Sequence, residues 1–99
     1  MSRSLIERRL FDLAQRLRSA RDELSVVDEQ LAALTEAAEE ARIRSLVSET
    51  PLAHREYAEA QRHADVLARS RRTLEASIEQ MRASQDQLLD RLVAGDGAK

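Results

Sequence analysis

The sequence contains no cysteine and no tryptophan, and it has one proline, two glycines and two aromatic residues, Phe11 and Tyr57. Without cysteine there is no disulfide, no thiolate metal site and no cysteine nucleophile. Glycine is too scarce for a phosphate-cradling loop, and two aromatics do not make a stacking platform for single-stranded nucleic acid. No apolar run approaches the roughly 20 residues that cross a bilayer. The opening Met-Ser-Arg-Ser lacks the hydrophobic core of a signal peptide, so the cytoplasm is the expected compartment. Charge of one sign is also missing, because 16 basic residues stand against 18 acidic ones, for a net charge of −2. Acids stand beside most of the clusters Arg8-Arg9, Arg16/Arg18/Arg21 and Arg69/Arg71/Arg72, which therefore read as a solvated, salt-bridged face and not as a nucleic-acid stripe.

What remains is 34% charged residues and an apolar content drawn mostly from Leu and Ala, the strongest helix formers. That is the composition of helical bundles and coiled coils, and 99 residues allow one domain.

The only proline, Pro51, lies in Ser48-Glu49-Thr50-Pro51-Leu52-Ala53 at the midpoint of the chain. Proline pushes the preceding residue out of helical geometry, yet it fits the first position of a new helix, where Thr50 just before it is a competent N-cap. The spacing predicts helix one over about 4–47, a turn at 48–50 and helix two over about 51–94, with Gly95 as C-cap and a frayed tail 95–99. Ser4-Leu-Ile-Glu7 fits a capping box at the start of helix one.

From Ile6 a 4-3 alternation runs through Leu10, Leu13, Leu17, Ala20, Leu24, Val27, Leu31, Leu34, Ala38 and Ala41, a sustained heptad seam. The next positions in register are Ser45 and Ser48, while Ile43, Leu46 and Val47 lie off the seam, so the apolar face is expected to rotate before the turn. After Pro51 the spacing returns through Ala53, Tyr57, Ala60, Ala64, Leu67, Arg71, Leu74, Ile78, Met81, Gln85, Leu88 and Leu92. Folded back about residue 49, the two seams match layer by layer, from Ile6/Leu92 and Leu17/Met81 to Leu34/Ala64, Ala41/Tyr57 and Ser45/Ala53. Several layers set large against small side chains, which is how interdigitated layers fill space. Charge agrees, because the acidic stretch 22–41 lies beside the Arg-rich 55–72, with pairs such as Arg21–Glu75 and Arg44–Glu56 in reach. The expected fold is all-α: an antiparallel two-helix coiled-coil hairpin.

A rod two helices thick buries one seam and leaves most of its surface wet, so a partner is expected, with a homodimer forming a four-helix arrangement. Apolar residues outside the seam mark candidate surfaces: Ile43, Leu46, Val47 and Leu52, with Glu49, at the turn, and Leu5, Phe11, Leu89 and Val93 at the open base. The middle contributes Val26, Ala33 and Val66. Two polar seam residues, Arg71 and Gln85, are expected to set register, Arg71 pairing with Glu75 or Asp28.

No catalytic set is legible, and no cofactor or metal site is expected. His54 and His63 lack second ligands at helical spacing, and a two-helix rod offers no concave pocket for a small-molecule substrate. The expected function is a non-enzymatic protein–protein interaction module, an adaptor, scaffold or regulatory subunit, whose partner is another protein or a second copy.

Two families share the outline. The small type VII secretion substrates are similar in length and midpoint turn, and that resemblance implies a secreted hairpin; their turn carries a Trp-x-Gly motif where this chain has Ser48-Glu49-Thr50-Pro51. Around Ser48-Glu49 and Glu56-Tyr57-Ala58 the chain also resembles the N-terminal coiled coil of the Gre transcript-cleavage factors. That resemblance implies a regulator whose acidic tip enters an RNA polymerase channel. Of the acidic pair those factors use to help hold a catalytic metal, this tip has Glu49 alone, and these 99 residues hold the coiled-coil part of that outline only.

Overall fold

Three short backbone devices set the ends of two long helices. The computed structural model describes residues 2–97 and contains α1, Arg3–Ser48, and α2, Pro51–Gly97, packed against each other as a helical hairpin. At the start of α1 the cap is Ser2, two positions ahead of the Ser4 of the expected capping box. The Leu5 amide donates to Ser2 Oγ at 3.2 Å and the Ile6 amide to the Ser2 carbonyl at 3.0 Å. Glu7, expected to reach back to the backbone, instead accepts from Arg3 Nε at 3.0 Å. Ser2 captures the orphan amides first, so Ser4 is already inside the helix.

At the turn, the Glu49 amide donates to the Ser45 carbonyl at 3.1 Å and Glu49 takes φ 49°, a left-handed conformation that closes α1. Thr50 then caps α2 as expected, its Oγ1 accepting from the Ala53 amide at 3.1 Å, and Pro51 opens the helix. At the far end α2 does not stop near residue 94. It continues through Gly95 to Gly97, and no described glycine takes positive φ. The left-handed conformation that would make Gly95 a C-cap is not adopted, and glycine's weak helix propensity alone does not end a helix. The rest of the expected frayed tail, Ala98 and Lys99, lies outside the described residues.

The chain divides into two compact units. The basal unit comprises residues up to Glu23 together with those from Leu74 onward. Its core is Ile6, Leu13, Leu17, Ala20, Ile78 and Met81, all buried, with Leu10, Leu74, Gln85, Leu88 and Leu92 half-buried. The tip unit, Leu24–Thr73, has a core of small side chains: Ala38, Ala41, Ser45, Ala53 and Ala64 are buried, and its larger seam residues Leu24, Val27, Leu31, Leu34, Tyr57 and Leu67 are half-buried. Beyond the seam, Ala68 and Ser84 are the described residues with comparable cover.

One expectation is corrected. The apolar face of α1 does not rotate before the turn, because Ser45 stays in the seam at 4% exposure while Ile43, Leu46 and Val47 face solvent. A serine there is tolerated because its hydroxyl finds a partner inside the same unit, described next.

Candidate interaction surfaces

The tip unit carries the densest set of outward apolar residues. On α1, Ile43, Leu46 and Val47 follow i, i+3, i+4 spacing and so share one stripe on the side away from the seam. Leu46 and Val47 are 64% and 80% exposed, and Leu52 on α2 is exposed beside the turn. The turn itself is held tightly for so short a connection. Buried Ser45 and Nδ1 of His54 share a hydrogen bond from one helix to the other, and Thr50 and Glu49 fix the backbone between them. Glu49 lies at the apex in a conformation that costs a side-chain-bearing residue roughly 1–2 kcal/mol.

Further down the same unit, Arg71 sits half-buried in the seam and its Nε donates to Asp28 Oδ1 on the other helix. Its stem therefore passes along the seam while its charge is matched at the rim. On α1, Arg42 makes two hydrogen bonds to Glu39, at 2.6 and 3.0 Å. Those bonds, reinforced by the charge of Arg42, hold the Glu39 carboxyl below its ordinary pKa and the Arg42 guanidinium above its own. His63 Nε2 lies 3.9 Å from Glu59 Oε1. The two cross-helix pairs expected from the charge pattern, Arg21–Glu75 and Arg44–Glu56, are not made: Arg21 and Arg44 close no ion pair among the described residues. Both ends of an exposed pair keep their hydration and side-chain freedom when apart, which is worth about as much as the contact.

In the basal unit Phe11, Leu89 and Val93 are exposed, and Leu5 is exposed at the margin with 37% of its surface open. Phe11 and Val93, at 62% and 70%, are the most open of the four. Gln85 is half-buried in the seam, as its register requires. A shallow, open furrow in this unit lies beside Asp12, Arg16, Glu23, Ser77 and Met81, and is not an enclosed cavity. Among the described residues no three His, Asp or Glu side chains gather as a metal site, and no helix is long and apolar enough to cross a membrane.

Sequence reasoning placed every exposed apolar residue named above. It missed the Ser45–His54 hydrogen bond, whose signal was available: a serine in the seam and, across a proline turn, a histidine one position past its layer partner Ala53. The chain matches no known family model, no curated protein sequence and no solved structure.

Proposed function

We propose that this protein is a non-enzymatic protein–protein interaction module, an adaptor, scaffold or regulatory subunit, that self-associates through one apolar region and engages a different protein through another. The observation that carries this reading is the distribution of exposed large apolar side chains. Of the ten such residues among those described, Ile43, Leu46, Val47 and Leu52 cluster at the tip and Leu5, Phe11, Leu89 and Val93 at the base. Clustered exposed apolar surface marks association sites far more often than scattered single residues do. The half-buried seam leucines support the same reading, since Leu10 and Leu88 in the basal unit and Leu31, Leu34 and Leu67 in the tip unit keep apolar surface that one partner helix does not cover.

The experiment is capture from native lysate with wild type and with Leu46→Glu/Val47→Glu, beside light scattering of each purified chain. Loss of a specific partner with oligomeric state unchanged assigns partner binding to the tip; unchanged partners with a changed oligomer assign self-association to it. A chain that stays monomeric and captures nothing overturns the proposal. Capture of RNA polymerase, lost on Glu49→Gln, would instead favour the tip-insertion reading.

A further inference from the structure

Within the tip unit a second 4-3 spacing runs beside the core seam. On α1 it comprises Val26, Gln30, Ala33, Ala37, Glu40, Arg44 and Val47; on α2 it comprises Leu52, Glu56, Glu59, His63, Val66, Ser70 and Thr73. All of them are exposed. In heptad terms they are the positions flanking one side of the seam. Because α2 runs opposite to α1, these flanking positions of both helices fall on the same side of the hairpin. The face is mixed: Val26, Ala33, Ala37, Val47, Leu52 and Val66 supply its apolar part.

Resting on the self-association proposed above, we propose that this face binds a second copy of the chain, the two copies related by a two-fold axis parallel to the helices. That operator lays α1 of one copy over α2 of the other at the same height, so every neighbouring pair of helices in the resulting four-helix bundle is antiparallel. It sets Val47 over Leu52 of the second copy, Ala33 over Val66 and Ala37 over His63, so small residues meet larger ones as interdigitated layers require. It also sets Arg44 over Glu56. Arg44 closes no ion pair within its own chain among the described residues, and the two-fold axis matches this charge twice in each dimer. The same stacking covers the half-buried Leu34 and Leu67, the seam leucines that open toward this face. One layer is unfavourable, Glu40 over Glu59, and it marks where a neutralising substitution tightens the dimer.

The test uses sedimentation equilibrium on the full chain. Arg44→Glu and Glu56→Arg, each alone, set like charges over one another and weaken the dimer, by roughly tenfold for two exposed pairs. Mixed in equal amounts, the two variants restore wild-type association, because each copy then supplies the charge the other needs. A purely intrachain effect is not relieved by mixing, so a mixture that associates no better than either variant overturns the arrangement. As a second measurement, Val66→Asp should be monomeric while keeping the wild-type circular dichroism, and Glu59→Gln should dimerise more tightly. A Val66→Asp chain that stays dimeric, with Phe11→Asp/Val93→Asp monomeric instead, overturns this face while leaving self-association intact. A wild-type chain that is monomeric at every concentration overturns self-association and this face together.

Discussion

Ser45 and His54 are joined by a hydrogen bond across the turn, Ser45 Oγ to His54 Nδ1, although one is a buried seam residue and the other lies just outside the seam. The serine hydroxyl is thereby paired in a place where an apolar residue was expected, and among the described residues no buried side-chain polar atom lacks a partner.

This arrangement predicts an order of stabilities. Ser45→Ala removes the bond but leaves His54 at the rim, able to meet water, and should cost about 1 kcal/mol. His54→Ala strands the buried hydroxyl and should cost about 1–3 kcal/mol. The double variant should be no worse than His54→Ala. Urea denaturation of the four proteins measures the cycle; equal single effects that simply add would show that the bond contributes nothing.

Glu49 holds a left-handed backbone at φ 49°. Replacing it with glycine, which enters that region freely, should stabilise the protein by about 1 kcal/mol after allowing for the added freedom of the unfolded chain. Glu49→Ala, which keeps a Cβ, should change little. A glycine variant that melts no higher than the alanine variant would contradict the conformation.

Arg71 places a charged side chain in the seam and pairs with partly exposed Asp28. Arg71→Leu should raise stability by roughly 1 kcal/mol, because the leucine adds seam burial and the lost pair is half-solvated. Asp28→Asn should cost less than about 1 kcal/mol. Thermal unfolding of both variants decides; a large loss in Arg71→Leu would show the guanidinium to be committed to a wider network.

The hydrogen bonds and charge of Arg42 lower the pKa of the Glu39 carboxyl. A folded-state pKa below the unfolded one stabilises the fold above the unfolded pKa, and that contribution is lost as the pH falls through the folded one. Following the Glu39 carboxyl by NMR, its titration in Arg42→Ala should move up toward the ordinary value, and the acid limb of the stability curve should flatten slightly. An unmoved titration would dismiss the pair.

Leu17, in the basal core, is 2% exposed. Leu17→Ala should cost roughly 2–5 kcal/mol, the range for truncating a buried leucine. The same truncation at exposed Leu46 should leave unfolding nearly unchanged, and denaturant titration compares them directly.

Much of the fold was legible because its signal is local and repeated. A seam residue recurs every three or four positions, so each heptad restates the register. Every seam residue from Ile6 to Leu92 is buried or half-buried except Ser48 beside the turn. The candidate surfaces were legible for the complementary reason: an apolar residue out of register, such as Val47 or Phe11, has nowhere to go but solvent. The Arg71–Asp28 pair could be read as well, because the register placed Asp28 next to Arg71. Capping was read less well, since Ser2 and Ser4 are both competent caps and only two positions separate them.

The sequence by itself determined two helices, their seam, their antiparallel match and the turn at Thr50-Pro51, because heptad spacing and proline act through geometry within a few residues of themselves. Only the tertiary structure decided that Ser45 remains in the seam, that Glu49 takes the left-handed position, and that Arg21 and Arg44 close no ion pair. Ser45 and the two arginines depend on a partner or its absence across the hairpin, and Glu49 on how the chain must leave α1 to reach Thr50. Burial is set by what the other helix brings to the same height, and an exposed ion pair is too weak to be settled by opposite charges in register.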